Sequence, residues 1–146
     1  MAEVVIEILT EATPEAVEQI NHLLPQLSLE AKNLDLERLD QIVQMAGSLY
    51  VARVDGVIRG MVQRVDVYQP RRIKSWIEDY VVDKAFRGQG IATQLMRTAI
   101  GEAPFEAESV NLTSKTVRKD AHKLYAKLGF VQRDETTVWR LMLPGR

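Results

Sequence analysis

Apolar residues recur along this chain with two different periods, and the switches between them mark its elements. Val4 to Leu9, VVIEIL, is β-branched and predicts a short strand. Thr13-Pro14 offers a hydroxyl at an N-cap and a proline at the first helical position. Val17, Ile20, Leu24 and Leu27 follow at helical spacing, and Pro25 must end or kink that helix. His22, beside two leucines, reads as structural. Ser28 to Asn33 is a loop, and a second helix over about Asp35 to Met45 would bury Leu36, Leu39 and Val43. Ser48–Val54 and Val57–Tyr68 are strands joined by Asp55-Gly56, the strongest short-range hairpin signal. Gln69-Pro70-Arg71-Arg72 ends the second of them, as a solvated turn or, on a second reading, a mobile lid.

The next stretch, Trp76 to Met96, organises the rest. Ile77, Tyr80, Val81 and Val82 make a strand of β-branched and aromatic type. After Asp83 the pattern breaks, Arg87-Gly88-Gln89-Gly90 follows, and Ile91, Leu95 and Ala99, with Met96 beside them, recur at helical spacing to about Glu102. A helix start has N–H groups without partners and a dipole that favours an anion. Glycine lets such backbone approach a ligand closely. The outline is that of a phosphate cradle, or of a glycine-rich turn that binds nothing. It is not the dinucleotide fingerprint, because Thr93 stands where the third glycine belongs, and the Gly-Lys-Ser/Thr of a P-loop is absent. Beyond it, Ser109–Thr113 predicts a strand and Thr116–Leu128 a helix with Val117, Ala121, Leu124 and Leu128 on its apolar face. Gly129 suits the C′ position. Phe130–Arg133 and Thr137–Leu143 predict two closing strands that turn at Asp134-Glu135. The order is βααβββαβαββ, an α/β chain with a mixed sheet and helices on its faces.

Composition narrows the class. A length of 146 residues suits a single domain, residues 1–146, with one core. A net charge of -1 gives no case for nucleic acid or an acidic membrane. Without cysteine there is no thiol nucleophile, cysteine metal site or disulfide framework. The N-terminal residues lack a signal-peptide pattern, and no run approaches the roughly 18 apolar residues of a membrane span. A cytoplasmic protein without a resident metal is the expectation.

Two motifs carry a family resemblance. Arg87-Gly88-Gln89-Gly90-Ile91-Ala92 is similar to the Arg/Gln-x-x-Gly-x-Gly/Ala pyrophosphate motif of the GNAT superfamily of acyl-CoA-dependent N-acetyltransferases. Arg118-Lys119-Asp120-Ala121-His122-Lys123-Leu124-Tyr125-Ala126-Lys127-Leu128-Gly129-Phe130 resembles its second signature, Asn/Arg-x-x-Ala-x-x-Leu-Tyr-x-x-Leu-Gly-Phe. Many members have asparagine where Arg118 stands. The resemblance implies a sheet of about seven strands flanked by four helices, splayed between its fourth and fifth strands. It implies acetyl-CoA as cosubstrate, with the pantetheine arm paired to backbone near Val81 and Val82. The pyrophosphate would then lie on the N–H groups from Gly88 through Gln89, Gly90, Ile91 and Ala92 to Thr93, beside Arg87 and Arg118.

The chemistry of acetylation needs a free amine, a polarised thioester and a proton for the leaving thiolate. An alkyl amine has a pKa of about 10.4, so a base or a proton relay helps near neutrality. Glu78 and Asp79 are the candidates. Consecutive strand residues point to opposite faces, so at most one faces the site directly. Glu78 is read as that base, acting directly or through water. The alternative is a wetted strand end, or a pair with an arginine such as Arg64. By the resemblance, Tyr125 is the general acid that protonates the thiolate and also lines the cofactor site, and a backbone N–H near Val82 polarises the thioester oxygen. His122 reads as surface, and Lys115, Arg118 and Lys119 as solvated charges or phosphate contacts. Trp76 and Trp139 read as core or interface residues. The expected activity is direct transfer from acetyl-CoA to a primary amine of a small molecule or protein, in a monomer or a homodimer. The rival is a non-catalytic acyl-CoA sensor. A nucleotide-binding Rossmann-type module is a weaker third.

Overall fold

The computed structural model describes residues 3–116 and 118–145. They fall into two compact units, one up to Thr113 and one from Ser114 on, each described by itself. The first holds β1 (Val4–Ile8), α1 (Pro14–Leu27), α2 (Leu36–Val43), β2 (Gly47–Val54), β3 (Val57–Gln69), β4 (Arg72–Val82), α3 (Ile91–Gly101) and β5 (Ala107–Leu112), and the second holds α4 (Lys119–Lys127).

The five strands form one mixed sheet in the order β1-β2-β3-β4-β5. The first four pair antiparallel, and β5 lies parallel to β4. Parallel neighbours cannot be joined by a tight turn, so the chain crosses over through α3. The β2–β3 turn is the predicted Asp55-Gly56, with φ values of 51° and 81°. Two left-handed residues in succession match the twist of a hairpin.

Helix starts follow their caps. Thr13 Oγ1 accepts the Ala16 N–H at 3.1 Å, and Asp35 Oδ1 accepts the Arg38 N–H at 2.8 Å. Pro25 lies in the last turn of α1, which ends two residues later at Leu27. Asn21 pins the connection that follows: its amide donates to Leu34 O at 2.9 Å and accepts the Leu34 N–H at 2.7 Å.

Both faces of the sheet are covered. On one, Ala16, Ile20 and Leu23 of α1 and Leu39 of α2 meet Leu49, Val51, Ile58, Met61 and Val81. On the other lies α3, whose Leu95 approaches Gly60 so closely that a Cβ there would sit 3.0 Å from Leu95 Cδ1. This is why β2 reads as a nearly unbroken apolar run: it is buried from both sides.

The structure differs from the sequence expectation in several places. The sheet has five strands, not about seven. Phe130–Arg133 and Thr137–Leu143 take no strand, although a bend does fall at Asp134-Glu135. Val138, Trp139 and Leu141 are 75%, 90% and 85% exposed. Alternation suits a segment to a sheet, but a strand exists only where a neighbour completes its hydrogen bonds. The segment instead makes short-range contacts, Trp139 Nε1 to Thr137 Oγ1 at 2.8 Å and Arg133 to Glu135. At Gln69-Pro70-Arg71-Arg72 the solvated turn is a tight two-residue one, closed by the pairing of Gln69 with Arg72, which leaves no length for a lid. Helix α4 begins at Lys119 rather than Thr116, because Arg118 holds a non-helical ψ of 63°. Val117, expected on its apolar face, lies outside the described residues. Among the described residues no helix is long and apolar enough to cross a membrane.

Candidate active site

The candidate site begins where β4 and β5 part. Their last paired positions are Ile77 and Leu112, and β4 runs on to Val82 without β5. Parallel strands hold each other only while their hydrogen bonds stay in register, so beyond Ile77 the β4 backbone has no β5 partner on that side. Glu78 is the first residue beyond the last pair. A β-bulge follows: Met61 faces Val81 and Gln63 faces Glu78, so Asp79 and Tyr80 together oppose one residue, Val62. Asp79 holds a φ of 47° there. The bulge interrupts the strict alternation expected of Glu78 and Asp79, and both side chains are exposed.

Partial burial pushes the Glu78 carboxyl above the ordinary range, and the charge of Asp79 adds to the shift. Arg64, the candidate partner, is engaged elsewhere. Among the described residues neither carboxylate makes a side-chain ion pair.

Beyond the bulge, the Asp83 N–H bonds Arg59 O of β3 at 2.7 Å. Antiparallel pairing alternates, so this bond turns the backbone groups of Val81 toward β3 and those of Val82 toward the opened edge. The Val82 carbonyl accepts Arg87 Nε at 3.0 Å, which folds the arginine back over the strand end. Of the two valines expected to offer backbone to a ligand, Val82 is the one whose backbone groups point away from β3.

The chain enters α3 through an exposed turn, Arg87-Gly88-Gln89-Gly90. Gly88 and Gly90 both have φ values of 79°, and a Cβ on either would meet nothing within 4 Å. Their need for glycine is therefore conformational rather than steric. Gly90 is the N-cap of α3 and brings no side-chain cap, unlike Thr13 and Asp35 in the first two helices. The first N–H groups of α3, those of Ile91, Ala92 and Thr93, therefore have no side-chain cap, while Ile91 anchors the turn in the core.

Asp83 fixes the approach to this turn, and sequence reading missed it. Its carboxylate, 3% exposed, accepts the Ala85 N–H at 3.2 Å and meets Gln26 Nε2, Arg59 Nη1 and His22 Nε2, each at 3.4 Å. Gln26 Oε1 in turn accepts the Lys84 N–H at 2.8 Å. Burial alone would raise the pKa of Asp83, but the Ala85 N–H, Gln26, His22 and Arg59 outweigh it and hold the carboxyl below its usual value. His22, expected to be structural, serves this latch between α1 and the turn. A carboxylate just before a one-turn helix was the available signal, since Asp83 caps Lys84–Phe86.

In the second unit, α4 ends in a Schellman motif. Gly129, with a φ of 96°, donates to Ala126 O, and the Phe130 N–H donates to Tyr125 O at 3.0 Å. The Tyr125 and Phe130 rings meet edge-on at 6.1 Å, which is the hydrophobic contact of that motif. The spacing Tyr-x-x-Leu-Gly-Phe is thus first a helix terminator that orients a tyrosine. Arg118 stands at the N-cap of α4, and His122 Nε2 lies 3.2 Å from Ser114 Oγ. Lys115 and Lys119 are exposed, and Trp139 belongs to the uncovered C-terminal segment. Among the described residues no group of three or more His, Asp or Glu could hold a metal ion.

Comparison with known proteins agrees with this architecture. The family model for the acetyltransferase (GNAT) family matches residues 5–130, and the chain belongs to that family. No curated protein sequence matches it significantly. Among solved structures, a transcriptional regulator from Bacillus halodurans C-125 is 28% identical, with a TM-score of 0.79 over 95% of this chain and 100% of its own. The aminoglycoside N-acetyltransferase AAC(6')-Iy, in complex with CoA, is 18% identical, with a TM-score of 0.76 over 98% of this chain and 97% of its own. A ribosomal-protein-alanine N-acetyltransferase from Brucella melitensis is 24% identical, with a TM-score of 0.74 over 96% of this chain and 100% of its own. The last two share the fold.

Proposed function

We propose that the protein is an acetyl-CoA-dependent N-acetyltransferase that passes the acetyl group directly to a primary amine. One observation carries this reading: a strand that has left its parallel neighbour runs straight into an uncapped helix start with two left-handed glycines. That supplies an edge for an amide-bearing arm and an anion site at the end of the same edge. The match to a family of acetyltransferases and the CoA complex of a structural neighbour support coenzyme A as the carrier.

In this reading the N–H groups from Gly88 to Thr93 take the pyrophosphate, with Arg87 and Arg118 as further phosphate contacts. The Val82 N–H polarises the thioester oxygen. Glu78, directly or through water, takes a proton from the ammonium. The amine nitrogen attacks the carbonyl carbon, the C–S bond breaks, Tyr125 protonates the thiolate, and the second proton shed by the nitrogen returns through solvent to the Tyr125 phenolate. A phenol of pKa about 10 and a thiol of about 8.5 are close enough for that transfer. No covalent enzyme intermediate is needed.

Calorimetric titration with acetyl-CoA and with NAD tests the donor site. Acetyl-CoA should bind and raise the melting temperature, and Gly90→Val should lose at least tenfold in affinity, because a β-branched residue resists a left-handed φ. Preference for NAD would overturn the reading. The second reading, a non-catalytic acyl-CoA sensor, is favoured by the neighbour whose name is a transcriptional regulator. Turnover that Glu78→Gln and Tyr125→Phe abolish decides for the enzyme, and binding without turnover of any amine decides for the sensor.

A further inference from the structure

The β3–β4 hairpin carries a composite strip on the face opposite α3. Ser75 Oγ bonds Asp66, and Arg64 bonds Ala99 O of α3, which assigns positions 64, 66 and 75 to the α3 face. The alternate positions fall on the other face, where Leu49, opposite Gln63, joins the core under α1 and α2. There Gln63 pairs with Glu78, Val65 with Trp76, and Val67 with Lys74. Directly opposite residues share a face. The strip therefore runs from Gln63 and Glu78, through Val65 and the indole of Trp76, to Val67 and Lys74. All six side chains are at least partly open to solvent. The Lys74 ammonium lies over the indole, 5.2 Å from the ring centroid.

Resting on the proposed N-acetyltransferase reading, we infer that this strip selects the acceptor: an elongated primary amine with an aromatic body and an anionic group at its far end. Charge order is the argument. Glu78, with Asp79 next to it, makes the end beside the opened edge negative, and Lys74 makes the distal end positive. Same-face residues recur about every 7 Å along a strand, so Trp76 springs from the backbone roughly 7 Å from Glu78, and the Lys74 ammonium, from the next such position, reaches back to 5.2 Å from the indole centroid. An amine held at Glu78 would lay its body on Trp76 and Val65, and an anion beyond the body would reach Lys74. Indole and aliphatic surface recognise an apolar body and add little selectivity for its details. A single positive end makes the selection, since a second amine there would meet a like charge. Trp76 is then a binding platform rather than the core or interface residue its sequence suggested.

Three probes test the inference: 3-[4-(2-aminoethyl)phenyl]propanoate, its carboxamide, and hexylamine. KM is measured at saturating acetyl-CoA. Binding is followed separately by fluorescence in a Trp139→Phe background, where Trp76 is the sole indole. The carboxylate probe should bind roughly tenfold tighter than the carboxamide, hexylamine should bind weakest, and both aromatic probes should perturb Trp76 emission. Lys74→Glu should remove the preference for the carboxylate, bringing the ratio of KM values for the carboxylate and carboxamide probes to about one. Trp76→Leu should raise KM for the aromatic probes more than for hexylamine, which loses apolar contact but no ring stacking. Equal KM for all three probes, emission unchanged by any of them, or a carboxylate preference that survives Lys74→Glu overturns the inference. Acetyl-CoA binding, titrated on the same sample, separates the two failures. If it persists while the amines are indifferent, only the strip is wrong. If it is absent, the acetyltransferase reading falls as well.

Discussion

The β3–β4 hairpin carries charge on both faces, and the two faces treat it in opposite ways. On the α3 face, Arg64 and Asp66 are buried and bonded at 2.9 and 3.2 Å. The network continues through Ser75 Oγ at 2.8 Å, Tyr50 Oη at 2.7 Å, and from Tyr50 to Glu102 at 3.1 Å. Burial by itself would lower the pKa of Arg64, but the Asp66 and Tyr50 contacts raise it, so the guanidinium stays charged. On the other face stands Glu78, with Asp79 beside it in the bulge and no side-chain ion pair to either among the described residues, and the Glu78 carboxyl is pushed up instead of down. A buried charge with every partner in place holds elements together and has nothing left to offer a ligand. An acid beside a like charge on an irregular strand has proton affinity to use. The first arrangement ties α3 to the sheet, and the second is where chemistry can occur.

The largest effect should come from breaking the satisfied side. Asp66→Ala leaves Arg64 buried without its carboxylate, and a loss of about 3–5 kcal/mol is expected. Urea unfolding measures it. A midpoint that barely moves would mean that the network is not what holds α3.

Glu78→Gln should act on rate in place of stability, lowering kcat/KM by roughly 10²-fold or more if Glu78 is the general base. The folded state raises the pKa of this acid, so its ionisation opposes folding. The contribution of the neutral form is fully present below the unfolded pKa and is lost as pH rises through the raised folded value. At neutral pH the variant should therefore unfold no earlier than the parent, and slightly later if the burial term dominates. A variant that loses stability along with rate would make Glu78 a structural residue.

The pH dependence sharpens the same contrast. For the parent enzyme, kcat/KM should fall on acidification with a midpoint above the usual carboxylate range, because the base must be ionised. Asp83 has the opposite sign. Its folded pKa is lowered, so the stability it lends is present above its ordinary value and disappears as pH falls through the lowered one. Far-acid conditions should loosen the turn that Asp83 holds after activity has already been lost.

The smallest effect is expected at the latch. Gln26→Met keeps the size of the side chain and removes both its hydrogen bonds to the turn, which together are worth roughly 1–2 kcal/mol. Acetyl-CoA affinity should drop several-fold with kcat nearly unchanged. An unchanged dissociation constant would show that the turn is rigid without α1.

Much of the architecture was legible because its signals are local. Thr13, Asp55-Gly56 and Gly129 each direct the backbone through their own side-chain oxygen or φ, so their roles survived into the structure unchanged. The glycine turn was legible for the same reason. Helix α4 was shorter than its apolar pattern suggested, because periodicity places a face better than an end. The bulge at Asp79 was not legible, since nothing in IEDYVV distinguishes a continuous strand from one with an extra residue. It appears only when β4 is laid against β3, and it changes which groups face the opened edge. Arg64 was noticed as a partner for a carboxylate such as Glu78 or Asp79, but the structure pairs it with Asp66, two residues along β3 and on the same face.

What the sequence determined by itself is the set of elements through β5, their order, and the glycine turn that opens α3 at Gly88 and Gly90. These depend on propensities, caps and spacings within a few residues of one another. What only the tertiary structure decided is which charges are spent and which are free, that β4 leaves β5 after Ile77, and that Val82 rather than Val81 points its backbone groups away from β3. It also decided that Phe130–Arg133 and Thr137–Leu143 take no place in the sheet. Those outcomes depend on partners distant in the chain, and a hydrogen bond or an ion pair exists only when both of its ends have been brought together.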